Sequence, residues 1–234
     1  MYLTRFRLNT ARRGTRKLLS SPQAMHAAVM ASFADALPSR QPDGNGAPRA
    51  LWRIDHNGPA EVHLFVVGPE KPDLTHLVEQ AGWPTTSQWE TYAYTPFLAK
   101  LRAGDRWAFR LTANPVHHIR RMPGEPTKRT AHVTPRHQTA WLLQRQDAAG
   151  FMVLEKPEEE RRIAEGDELK LMVHGRRARE FAKRDHKQPV TLVTATFDGH
   201  LEVSDPERFR RTLTAGLGRA KAYGCGLMTL GPVS

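Results

Sequence analysis

Histidine is the side chain that changes charge near neutral pH, and this sequence holds eleven of them. His117, His118, His132 and His137 gather in one stretch, but no H-E-x-x-H or other regular ligand spacing links them. They read as polar loop histidines, and no metal or other cofactor is expected. His26 is a different case. It follows the apolar Met25 in a helical pattern and so lies about 100° around the helix from it, at the edge of the buried stripe. The basic Arg12–Lys17 stretch precedes it closely in sequence. A histidine there can accept or donate a proton at neutral pH while cations hold adjacent phosphates. Position alone fits an ordinary boundary histidine better.

The tail carries the second chemical pattern. Gly216, Gly218, Gly224 and Gly226 fall within eleven residues, with Arg219 and Lys221 between them. Glycines let backbone N–H groups approach a phosphate closely, and the two cations add charge. The segment lacks the G-K-[ST] ending of a nucleotide P-loop. It also follows a helix and precedes a strand, the reverse of a Rossmann turn. A glycine-rich turn with a purely structural role fits as well. Cys225, the only cysteine, leaves no internal disulfide and no cysteine-based zinc site to consider.

These residues must be positioned by an α+β chain. Tyr2, Thr4, Phe6 and Leu8 alternate as a strand. A basic, polar link, residues 10–20, follows. Ser20 or Ser21 then caps a helix with Pro22 in its first turn, and Met25, Val29, Phe33 and Leu37 mark its buried face. Leu51–Ile54 and Val62–Val67 form a hairpin through Asn57-Gly58. Asp73 caps a helix that turns Leu74, Leu77 and Val78 inward, and residues 89–94 supply a further strand. This β-α-β-β-α-β order is the ferredoxin-like plan.

The second half repeats the plan with insertions. Trp107, Phe109 and Leu111 alternate on a strand. Thr134-Pro135 begins a helix that Gly150 closes. Residues 151–154 and 169–173 are strand candidates, followed by a long basic segment, 175–188. Two strands, 190–197 and 201–203, are expected to pair across Asp198-Gly199. Asp205-Pro206 starts a last helix, and the glycine-rich tail leads into a strand at 227–230. The expectation is two tandem ferredoxin-like (RRM-like) domains, residues 1–96 and 97–234.

Charge narrows the partner. Lys and Arg total 35 against 24 acids, a formal net charge of +11. Six cations and no acid occupy residues 1–34, and seven cations face Glu180 and Asp185 in residues 170–187. Basic clusters of this kind suit a polyanion, because each Lys or Arg set against a phosphate displaces a condensed counterion. Membrane binding fits poorly. No apolar run nears a membrane span, and no long basic amphipathic helix or lipidation signal stands out. The chain opens directly on a strand without a signal-peptide core, which points to the cytoplasm.

Over nearly its whole length the sequence resembles the CasE (Cse3) family, the precursor-CRISPR-RNA-processing nucleases of the type I-E Cascade complex. The resemblance lies in the opening M-Y-L-T-R-F-R-L-N, Met25-His26, L-W-R-I at Leu51–Ile54, and F-R-L-T-A-N-P at Phe109–Pro115. It continues in Lys128-Arg129, in L-E-V-S-D-P at Leu201–Pro206 and in the glycine-rich tail. The tail and the A-N-P segment are its specific parts.

The resemblance implies two ferredoxin-like domains holding the hairpin of a CRISPR repeat, with His26 as the catalytic histidine. The implied chemistry is attack of a ribose 2′-OH on the adjacent phosphorus, leaving a 2′,3′-cyclic phosphate and a 5′-hydroxyl without metal. The implied RNA contacts are Arg12, Arg13, Lys128, Arg129, Arg176, Arg177, Lys183, Arg184, Gly216, Gly218, Arg219, Lys221, Gly224 and Gly226. It further implies that the chain stays on the crRNA hairpin as a Cascade subunit, through a face the sequence does not reveal. One position departs from the family. Where members often carry a tyrosine three residues before the histidine, this chain has Gln23, an amide that cannot act as acid or base near pH 7. Either His26 works with little help, or a group such as Lys128 or Tyr223 stands in. The alternatives are a non-catalytic RNA-binding module of the same fold, and a metal-dependent nuclease built on the histidines and scattered acids.

Overall fold

Alternation along β1 (Tyr2–Leu8) buries Thr4, Phe6 and Leu8 and leaves Arg5 and Arg7 exposed on the other face. The computed structural model describes residues 1–34, 50–83, 89–119, 127–163, 166–181 and 190–233. They divide into two units: Met1–Leu101 with Leu213–Gly216 and Lys221–Leu227, and Arg102–Thr212 with Leu217–Ala220 and Met228–Ser234. Among the described residues no helix is long and apolar enough to cross a membrane.

In the first unit β1 is followed by α1 (Arg13–Ser20), α2 (Pro22–Met30), β2 (Leu51–Gly58) and β3 (Glu61–Gly68). Then come α3 (Thr75–Ala81), β4 (Glu90–Ala93) and α4 (Tyr94–Lys100). The strands form an antiparallel sheet in the order β2-β3-β1-β4. Phe6, Leu8, Trp52, Val62, Leu64 and Val66 pack with Leu18, Met25, Val29, Leu74 and Leu77 in one core. Each such buried side chain contributes about 1.5–3 kcal/mol.

The expected polar link before the capped helix is corrected: residues from Arg13 onward are α1. Thr15 and Leu18 are its buried residues, and the Thr15 hydroxyl donates to the Ala81 carbonyl at 3.1 Å. Two inward residues in eight give too thin a stripe to stand out among cations. The helix α4, directly after β4, was also not expected. The expected cap at Asp73 is corrected: the helix α3 is capped at Leu74 without a side-chain bond, and the Asp73 carboxylate, one residue earlier, accepts from the Thr75 backbone N–H at 2.9 Å. Leu74, Leu77 and Val78 are buried as expected.

The second unit runs β5 (Arg106–Ala113), β6 (Val116–Ile119), β7 (Lys128–Ala131), α5 (Pro135–Ala149) and β8 (Phe151–Val153). It continues with β9 (Leu171–Phe181), β10 (Val190–Val203), α6 (Pro206–Ala215) and β11 (Met228–Gly231). Its main sheet is antiparallel, ordered β11-β5-β10-β8, with β9 also on β10, and β6-β7 form a separate pair. Thr134 caps α5 and Gly150 closes it in the left-handed conformation, as the sequence predicts. The whole chain is an α+β fold with several antiparallel sheets.

The hairpin expected at Asp198-Gly199 does not form, because β10 runs straight through it. Asp198 lies opposite Arg110 of β5 and takes a two-pronged ion pair from it, at 2.7 and 2.6 Å. Gly199 admits the Lys170 carbonyl, which would lie 2.5 Å from any Cβ there. The Asp-Gly pair thus serves a close strand approach rather than a turn. The strand expected at 169–173 extends as β9 into the basic segment as far as Phe181.

Candidate active site

Local chemistry fixes the helix that carries His26. The Ser21 side chain accepts from the Ala24 N–H at 3.2 Å and Pro22 occupies the first turn, so α2 starts at a defined residue. Met25 and Val29 are buried and set its inward face. His26, one residue on, is therefore half-buried at the edge of the core.

Its neighbour comes from β2. Trp52 pairs with Val66 in the sheet and joins the same core as Met25 and Val29. The Trp52 indole N–H donates to Nδ1 of His26 at 3.4 Å. Indole nitrogen is a donor only, so Nδ1 must offer a lone pair, and the neutral ring then carries its proton on Nε2. Among the described residues no group holds Nε2. Burial lowers the His26 pKa below its ordinary value of 6.5, which keeps the ring neutral at pH 7.

The tail meets this pair. A single 3-10 turn, Lys221–Tyr223, packs against α2 and β2. The next residue, Gly224, has φ 79°, and a Cβ there would come within 2.7 Å of Trp52 Cζ3. Further on, the Leu227 carbonyl accepts from Arg53 Nη1 at 3.0 Å. Arg53 is only 1% exposed and is gripped by Asp55 at 2.6 and 2.8 Å, with its guanidinium 5.4 Å from the Phe65 ring centre. This buried ion pair anchors the last residues of the tail to β2.

The first unit thus brings together His26, Lys221 and Gly224, with Gly216 and Gly226 nearby in the same tail. Gly224 and Gly226 are buried, whereas Gly216 and Gly218 are half-buried and Arg219 is exposed. Arg12 turns part of its guanidinium to the Val78 and Gly82 carbonyls at the end of α3, at 3.1 and 3.3 Å, and Arg13 is exposed. Gln23 accepts from the Ser21 hydroxyl at 3.4 Å. In the second unit Lys128 is exposed on β7, beside Arg129 in the same strand, and Arg176 and Arg177 are exposed on β9. Lys183 and Arg184 lie outside the described residues, as does Leu37.

His117, His132 and His137 do come together, but as a stack. Their ring centres are 4.3 and 5.7 Å apart with nearly parallel planes, so the rings do not converge on a point. Among the described residues no group of three or more His, Cys, Asp or Glu is arranged to hold a metal ion. Sequence reasoning missed Trp52, Arg53 and Asp55. Opposite charges two residues apart, and so on one face of a strand, were the available signal for the last two. No local pattern could link Trp52 to a histidine 26 positions away.

Comparison with known proteins places the chain in a family. A family model described as "CRISPR associated protein" matches residues 1–232. The CRISPR-associated endoribonuclease Cse3 of Thermus thermophilus is 32% identical over 236 residues, which is 99% of this chain and 100% of that protein. The chain belongs to the Cse3 family of CRISPR-associated proteins. Among solved structures, the T. thermophilus Cse3 bound to an RNA representing a pre-cleavage complex superposes with TM-score 0.74 at 29% identity, over 99% of this chain and 98% of that one. Cse3 bound to 19 nt RNA gives TM-score 0.75 at 29% identity, over 99% of both chains.

Proposed function

We propose that this protein is a cytoplasmic, metal-independent endoribonuclease that binds the stem-loop of a CRISPR repeat in precursor crRNA and cuts at its 3′ base. The observation that carries this reading is a neutral, half-buried His26 whose Nδ1 is held by Trp52 and whose Nε2 is left for a substrate. The Cse3 relatives that carry bound RNA support it. The two units, with strand orders β2-β3-β1-β4 and β11-β5-β10-β8, support a pair of ferredoxin-like domains.

In the proposed reaction the ribose 2′-OH attacks the adjacent phosphorus and the 5′-oxygen leaves. The products are a 2′,3′-cyclic phosphate and a 5′-hydroxyl. The nucleophile belongs to the substrate, and the proton lost from its 2′-OH is balanced by the one gained at the departing 5′-oxygen. The protein's task is therefore to align the attack, hydrogen-bond the reacting oxygens from Nε2–H of His26 and stabilise the phosphorane's extra charge. Gln23 orients rather than titrates. Arg13, Lys128, Arg129, Arg176, Arg177, Arg219 and Lys221 supply positive charge for the RNA backbone, and Arg12, Gly216 and Gly218 belong to the same expected RNA-binding set. Lys183, Arg184, Gly224 and Gly226 complete the expected RNA-binding set. The cleaved hairpin stays bound, which makes the chain a Cascade subunit after one turnover.

The test is a labelled repeat hairpin incubated with protein in excess EDTA. Full cleavage of the all-ribose hairpin, leaving a 5′-hydroxyl, is expected, with none when the ribose at the cut carries 2′-deoxy. Activity that disappears with EDTA would instead indicate a metal nuclease, and tight binding without cleavage an RNA-binding module.

The charge contacts have their own signature. Arg176→Ala removes an exposed cation from β9 and is expected to lower the salt slope of hairpin binding by about one at most. Its affinity loss should be the same for the cognate hairpin and one of unrelated sequence, because phosphates carry no sequence information. Unequal losses in binding titrations would point to base readout at this residue.

A further inference from the structure

We propose that Trp52 is a positioning residue of this active site: its indole N–H holds the His26 ring by Nδ1 and so presents a protonated Nε2 to the RNA, while Gly224 keeps the indole seated. The inference rests on the reading of His26 as the catalytic group.

Three observations support it. The first is pairing. Trp52 is 3% exposed, so its N–H has little access to water, and His26 Nδ1 at 3.4 Å is the acceptor it meets. A buried N–H left without an acceptor is costly, which favours the tautomer with its lone pair on Nδ1.

The second is the incompatibility of that bond with charge. An imidazolium carries N–H on both nitrogens, so protonating His26 would set donor against donor at Trp52. The bond therefore opposes protonation in the same direction as burial. The titratable and charged groups on the elements packed around α2 are Arg13, Arg16 and Lys17 of α1, and Lys221 and Tyr223 of the tail turn. To these are added His76 of α3, at 3.0 Å from the Ala28 carbonyl, with Glu79 of the same helix, and His56 with the Arg53–Asp55 pair of β2. None of them is a cause of the lowered His26 pKa.

The third is seating. One edge of the indole meets His26, and the six-membered ring meets Gly224, whose missing Cβ would press on Cζ3 at 2.7 Å. A side chain at 224 must displace the ring, and with it the N–H. The tail glycine thereby acts on the catalytic histidine through Trp52.

The experiment is nitrogen NMR of the full chain with labelled histidines, the His26 signal being assigned by its loss in His26→Ala. In wild type the neutral ring is expected to show an unprotonated Nδ1 and a protonated Nε2. Trp52→Phe, which keeps the aromatic packing and deletes the N–H, should mix the tautomers and raise the His26 pKa by roughly half to one pH unit. The acid limb of hairpin cleavage should move up with it. Gly224→Ala retains the N–H and should cause the same change by tilting the ring, which provides a second route if Trp52→Phe fails to fold. A protonated Nδ1 in wild type overturns the inference outright. So does an unchanged tautomer, pKa and cleavage profile in a folded Trp52→Phe, even if His26-dependent cleavage is intact. Absence of cleavage by wild type at any pH overturns the activity itself, and the positioning role with it.

Discussion

His26→Ala is expected to slow hairpin cleavage by about 10²–10³-fold, the usual contribution of a hydrogen-bond donor aimed at developing charge. Hairpin affinity should stay within about tenfold, a change of about 1.4 kcal/mol. The two quantities separate because a neutral imidazole adds no charge to a phosphate contact, whereas the exposed arginines and lysines do. Their contribution remains in the variant. The pH profile gives an independent sign. Burial holds the His26 pKa below 6.5, so the neutral ring predominates at pH 7 and is lost on acidification. Protonating the ring sets it against the Trp52 N–H and releases Nε2 from its aim, so wild-type cleavage should fall as pH drops through the lowered pKa, and the residual rate of His26→Ala should lack that step. Single-turnover rates are the appropriate measurement, because product that stays bound, as proposed, would mask the chemical step in steady state. Equal cleavage by the two proteins would return His26 to a structural role and place the chemistry on another residue.

Where the sequence was legible, the cause was local. Ser21 followed by Pro22, and Thr134 followed by Pro135, mark helix starts because a side-chain oxygen and a missing N–H both suit a first turn. The alternation of Thr4, Phe6 and Leu8 marks a half-buried strand for the same kind of reason. His26 could be placed at a core edge from Met25 and Val29 alone. What sequence could not supply was anything decided across the sheet. Asp198-Gly199 reads as a turn until Arg110 and the Lys170 carbonyl are set opposite it. Trp52 reads as core packing until its N–H is found on His26. The tail glycines read as a phosphate cradle, and for Gly224 and Gly226 burial adds a packing demand that spacing does not reveal. Arg12 likewise looks like a free cation, yet it spends two hydrogen bonds on the end of α3.

Asp55→Ala is expected to destabilise the fold by about 3–5 kcal/mol, because it strands the Arg53 guanidinium in the core without its carboxylate. That is a large share of the roughly 5–15 kcal/mol that holds a typical protein folded, and a shift of the urea midpoint would measure it. The double replacement Arg53→Met with Asp55→Leu tests what the pair is for. Exchanging a buried ion pair for apolar side chains of similar size is often nearly neutral, so the double variant should recover most of the lost stability. It should not recover all of it. Arg53 also donates to the Leu227 carbonyl, and that acceptor would be left unmet at a cost of about 1–3 kcal/mol. The tail would then lose its anchor beyond Gly224 while the core stays packed. If the pair serves the active site through the tail, hairpin cleavage should remain impaired in a stable double variant. If it serves only the core, cleavage should return along with stability, and the Leu227 contact would then be a bystander to the chemistry.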